Sequence, residues 1–126
     1  MMNKFIIKLP PVSKKNSQQI LFNPKTGKRF IAPSEKYKEY EQNAGWFLPR
    51  RKEPIDYSIN VKCLFYMPTK RKCDLTNLLE AVDDVLVKHG IIADDNYTII
   101  ESHDGSRVLY DKENPRTEIY INEVQK

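Results

Sequence analysis

Asp74, Glu80, Asp84 and the pair Asp94-Asp95 crowd one short stretch of this 126-residue chain, and they set the chemistry to consider first. From Asp74 to Asp104 eight acids stand against a single base, Lys88, a net charge of −7. The remaining residues carry 20 bases and nine acids, a net +11. Carboxylates gathered without matching bases are costly to keep charged together, and a divalent cation is the common solution. Oxygen-only ligands of this kind suit Mg²⁺ or Mn²⁺ rather than Zn²⁺. A basic body around them points to a polyanion, most often nucleic acid. The plainer alternatives are a solvated acidic helix face, and for Asp74 an ordinary helix N-cap.

Other chemistries find little support. Cys63, Cys73, His89 and His103 lack the tight paired spacing of a zinc site. Cys63 alternates onto the apolar side of a strand pattern and reads as packing rather than as a nucleophile. Four glycines form neither GxxxxGK[ST] nor GxGxxG, so no phosphate-cradling loop is present. Trp46 and the tyrosines at helical spacing read as core rather than as base-stacking platforms. The apolar stretch Phe5–Ile7 is too short for a secretory signal, and no run reaches the ~18 residues of a membrane span. Two cysteines make no disulfide framework, which points to a cytoplasmic setting.

The elements that must position the acids follow from periodicity. Residues 3–9 alternate and stop at Pro10-Pro11, a strand. Ile20–Phe22 and Lys28–Ile31 flank Asn23-Pro24-Lys25-Thr26-Gly27, a hairpin. Ser34 caps a helix whose apolar positions are Tyr37, Tyr40, Ala44 and Phe47, with Gly45 weakening its last turn and Pro49 ending it. Odd positions from Ile55 to Phe65 are apolar, the clearest strand, followed by the basic loop Lys70-Arg71-Lys72. Leu75 to about His89 forms an amphipathic helix with Leu75, Leu78, Leu79, Val82, Val85 and Leu86 on one face, and Gly90 past its end. Ala93–Asn96 is a turn, and Tyr97–Ser102 and Thr117–Glu123 are strands joined by a loop. The expectation is a single α+β domain over residues 1–126: a mixed β-sheet with two main helices, in the order β, hairpin, α, β, α, β, β.

Lys70-Arg71-Lys72-Cys73-Asp74-Leu75-Thr76-Asn77-Leu78-Leu79-Glu80-Ala81, with Asp84, Leu86, Gly90 and Asp94-Asp95, resembles the RusA-type Holliday-junction resolvases. Leu9-Pro10-Pro11 with Ser13, Lys14 and Asn16 is similar to that family's N-terminal DNA-contacting segment, and Asn114-Pro115-Arg116 also looks family-like. The resemblance implies a small homodimeric, Mg²⁺-dependent endonuclease, of a kind often encoded by prophages, that cuts four-way DNA junctions by paired nicks. It implies that Lys14, Lys15, Asn16, Lys70, Arg71 and Lys72 contact DNA. Two positions depart from the family pattern. Its Asp-Leu-Asp-Asn has Thr76 in place of the second aspartate, and its functional lysine is Glu80 here. Asp74 and Asp95 keep ligand identities, whereas Thr76 supplies no carboxylate.

Positions 76 and 80 lie four apart, so Glu80 points to the same side and is expected to take over the missing ligand role. The catalytic set is then Asp74, Glu80 and Asp95, with Asp94 or Asp84 contributing to the metal. The rival readings are a junction-binding protein with a degenerate site, and a less structure-selective nuclease for branched DNA.

Overall fold

A computed structural model describes residues 2–14 and 18–125. Strand β1 (Met2–Ile7) is followed by the hairpin β2 (Gln18–Asn23) and β3 (Lys28–Pro33), and by helix α1 (Glu35–Ala44). One 3-10 turn, Gly45–Phe47, leads towards β4 (Ile59–Met67) and helix α2 (Leu75–Lys88). Three strands complete the chain, β5 (Ile100–Ser102), β6 (Arg107–Tyr110) and β7 (Arg116–Glu123). The fold is α+β with a mixed sheet and two helices, as the periodicity implies.

The main sheet runs β1-β7-β4, with β5 against Ile59 and Asn60 and β6 against Leu64–Met67, end to end along the far edge of β4. β7 pairs antiparallel with both β1 and β4, whereas β5 and β6 run parallel to β4. Ile59, Val61, Cys63 and Phe65 alternate inward and meet Ile119 and Ile121 of β7, Ile7 of β1, and the apolar faces of both helices in one core. Burying each such aliphatic side chain is worth roughly 1.5–3 kcal/mol. That face therefore fixes where α2, and every acid on it, must lie.

Local chemistry sets the helix ends. The Ser34 hydroxyl accepts the Tyr37 N–H at 3.1 Å, and Tyr37, Tyr40 and Ala44 turn inward. Gly90 adopts φ 72°, a left-handed conformation that closes α2 at little cost to glycine. The Ile91 N–H then returns to Leu86 O at 2.9 Å, and Ile92 bridges Ile55 in parallel. This tether holds the Asp94-Asp95 turn against the body.

Several expectations are corrected. β4 starts at Ile59 rather than Ile55, because Ile55 is spent on the bridge to Ile92 and Tyr57 faces solvent. Residues 97–99 form a turn, not the start of a strand, since Asn96 O accepts the N–H groups of both Ile99 and Ile100. The loop expected before β7 contains β6, four residues whose order comes from pairing with Leu64–Met67. Trp46, read as core, is 85% exposed, whereas Tyr37 and Tyr40 are buried.

Candidate active site

Asp74 takes the N-cap position of α2, and its backbone carbonyl accepts the Leu78 N–H. Its carboxylate makes no capping bond; instead Oδ2 accepts the side-chain amide of Asn77 at 3.2 Å. Asn77 is buried, so the amide holds the exposed carboxylate in place. The N-cap alternative therefore accounts for the backbone of Asp74 and not for its side chain. Glu80 is exposed on α2 and makes no hydrogen bond or ion pair among the described residues.

Asp94 and Asp95 differ although they are neighbours. Asp94 Oδ1 accepts the Asp95 N–H at 2.7 Å and Oδ2 accepts the Asn96 amide at 3.1 Å. Those bonds hold the Asp94 carboxyl below the usual carboxylate range. Asp95 is pushed up by burial, by its bond to Asp94 and by the charge of Asp84. Asp94 therefore shapes the turn, while Asp95 shares an electrostatic neighbourhood with Asp84 and, through it, with α2.

On α2, Asp84 pairs with Lys14 Nζ at 3.2 Å. Lys14 also lies 5.9 Å from the centre of the Tyr37 ring. The neighbouring Asp83 points into the fold. Burial pushes its carboxyl up and its bond to His103 opposes that; the charges of Asp95 and Asp84 add to the rise. Asp83 Oδ2 lies 3.0 Å from His103 Nε2, and Asp83 Oδ1 is buried with no hydrogen-bond partner among the described residues. The sequence patterns assign no part to Asp83, and they bring in His103 only as a zinc candidate. The signal that could have flagged Asp83 was its place beside Asp84 in the acidic run.

The carboxylates do not converge into a finished ligand shell: no group of three or more His, Cys, Asp or Glu among the described residues is arranged to hold an ion. Asp84 is occupied by Lys14 and Asp94 by its own turn. The donors available are nevertheless all carboxylate oxygens, which fits a hard divalent cation. Cys63 is fully buried, and burial followed by the charge of Asp83 pushes its thiol far up, which removes it as a nucleophile.

Next to the N-terminus of α2 lies an open cleft of about 520 Å³ between Pro10–Ser13 and the loop 67–73. Arg71, Lys72 and Lys36 line it, so its charge is cationic. Lys70 turns aside, its ammonium 5.1 Å from the centre of the Tyr110 ring. The candidate contacts Lys15 and Asn16 lie outside the described residues.

Residues 8–122 match the family model described as endodeoxyribonuclease RusA. The chain belongs to the RusA endodeoxyribonuclease family. It is also similar to the crossover junction endodeoxyribonuclease RusA of Aquifex aeolicus (strain VF5), 35% identical over 105 residues that cover 82% of this chain and 79% of that relative. This chain is thus an endodeoxyribonuclease, a phosphodiester hydrolase. No helix among its described residues is long and apolar enough to cross a membrane.

Proposed function

We propose that this RusA-family chain resolves four-way DNA junctions by paired symmetric nicks, as a homodimer dependent on Mg²⁺ or Mn²⁺, in cytoplasmic DNA recombination and repair. The observation that carries the reading is the placement of an acidic neighbourhood, Asp84 with Asp95 and Asp83, in the same small fold as a cationic cleft. The family match over residues 8–122 supports taking the chain as one nuclease domain.

Asp74, Glu80 and Asp95 would hold the cation, with Asp84 or Asp94 contributing directly or through water. A divalent ion bound there supplies Lewis-acid stabilisation of phosphate charge and a more acidic water. The chain's own residues do the positioning. Arg71 and Lys72 offer cations to the phosphates beside the scissile one, giving affinity without sequence information. Asn77 fixes the Asp74 carboxylate, and the Asp94 turn fixes Asp95. Lys14 neutralises Asp84 in the free protein and is placed to exchange that carboxylate for a phosphate. A two-fold dimer would present two such sites to the two equivalent strands of a junction.

The test is a Mg²⁺ titration against an end-labelled synthetic four-way junction and a duplex of the same sequence. Symmetric nicks on the junction that vanish with chelator are expected. Efficient cutting in excess chelator overturns the metal requirement, and equal cutting of the duplex overturns junction selectivity.

A further inference from the structure

The hairpin β2–β3 stands apart from the rest of the molecule. Its two strands form a separate two-stranded sheet, and among the described residues its substantial packing is of one strand on the other. None of residues 20–32 is buried. A two-stranded ribbon without a third layer is marginal in water, yet this one carries five large apolar side chains. Ile20 pairs with Ile31 and Phe22 with Arg29, so one face presents Ile20, Phe22 and Ile31 at 71%, 61% and 67% exposure. The opposite face presents the cross-strand pair Leu21–Phe30.

Charge decides what covers them. Gln18–Pro33 contains Lys25, Lys28 and Arg29 and no acid. Two such ribbons meeting face to face would bring six cations together with nothing to neutralise them, a repulsive arrangement. A polyanion meets both features: phosphates for the cations, and base faces for the apolar side chains. A two-stranded ribbon also fits the width of a DNA groove. Apolar side chains carried into DNA act as wedges between base steps, least expensively where stacking is already interrupted.

We propose that the ribbon Gln18–Pro33 is a DNA-wedging arm, with Lys25, Lys28 and Arg29 on phosphates and Phe22, flanked by Ile20 and Ile31, against unstacked bases at a branch point. This rests on the junction reading above and names the element that supplies its selectivity. The turn is built for a fixed tip. Gly27 takes φ 71° and returns its N–H to Asn23 O at 2.8 Å, while Asn23 Oδ1 accepts the Lys25 N–H at 2.9 Å. The wedge would therefore enter as a preformed ribbon.

The experiment measures binding of the full chain to a four-way junction and to a matched duplex, in Ca²⁺ to suppress cutting, with 2-aminopurine at the branch point. Wild type should prefer the junction and raise the 2-aminopurine emission as the base leaves its stack. The double variant Phe22→Ala with Ile31→Ala should lose about tenfold or more of that preference and the emission rise, with duplex affinity unchanged. Phe22→Trp should retain both. The substituted side chains lie off the core, so the thermal midpoint should not move.

A wild-type protein that binds both DNAs equally overturns the junction reading and the wedge with it. A junction preference and emission rise that survive in the double variant overturn the wedge alone. Dissociation of a dimer by the same substitutions, read by sedimentation with DNA absent, also overturns it and makes the ribbon a contact between copies.

Discussion

His103 joins two layers of the fold through both ring nitrogens: Nδ1 lies 2.8 Å from Val61 O on β4, and Nε2 lies 3.0 Å from Asp83 Oδ2 on α2. A carbonyl only accepts, so Nδ1 carries a proton and donates it. Nε2 can then meet a carboxylate only if a further proton lies between them. Burial works to lower the His103 pKa, but the bond and charge of Asp83 outweigh it and the net shift is upward. This shared proton holds the middle of α2, and with it Asp84, against the sheet.

The sign of the linkage follows. A histidine whose folded pKa is raised contributes stability that is fully present below its unfolded value of about 6.5 and is lost as pH rises through the folded value. Urea unfolding between pH 5.5 and 9 should show wild-type stability declining on the alkaline side of about pH 6.5. His103→Gln should flatten that part of the profile. Parallel profiles for the two proteins would show that the pair holds no proton.

Gly45 touches the ring at the end of α2. A β-carbon built there would lie 2.5 Å from His89 Cε1, and the ring is held in place by the 2.7 Å contact of its Nε2 with Glu41 O. Gly45→Ala, which elsewhere in a helix would stabilise, should lower stability by roughly 1–3 kcal/mol through overpacking. A calorimetric midpoint at or above that of wild type would contradict this.

Arg71 and Lys72 line the cationic cleft, whereas Lys70 rests against Tyr110. Each phosphate contact releases counterions, so replacing Arg71 and Lys72 by Ala should reduce the slope of log affinity against log salt by roughly 1–2. Lys70→Ala alone should change it less. An unchanged slope in the double variant would place the cleft away from DNA.

Glu80 is exposed and unpaired among the described residues, one helical turn from Thr76. Glu80→Gln keeps size and polarity but removes the charge. It should abolish cleavage, with the urea midpoint within about 0.5 kcal/mol of wild type and junction binding intact. Thr76→Asp in that background is expected to restore part of the activity. Cutting at near wild-type rates by Glu80→Gln would show that the ligand role did not move along the helix.

The parts of the fold legible in the sequence are those whose signal is repeated: the alternation through β4, the apolar stripe of α2, and the Ser34 cap. What escaped depends on partners distant in the chain. β6 is four residues long and owes its order to β4, and Ile55 leaves the strand pattern because Ile92 claims it. In the candidate site, the acidic run pointed to α2 and the turn after it, since charge density is a local property. Which oxygens are engaged is not local. Lys14 reaches Asp84 across 70 residues, and His103 reaches Asp83 across 20. Trp46 illustrates the limit of residue-type arguments, because it sits in the 3-10 turn after α1 and is exposed despite its size.

Nicks mapped on all four strands of a labelled junction, for wild type and Asp95→Asn, across a Mg²⁺ titration with a chelator control, read the chemistry of these carboxylates directly. Wild type should give paired nicks at symmetry-related positions, saturating with Mg²⁺ and absent in chelator. Asp95→Asn should bind the junction and leave every strand intact. Metal-independent cutting, or unaltered paired nicking by Asp95→Asn, would contradict a metal-assisted resolvase built on these carboxylates.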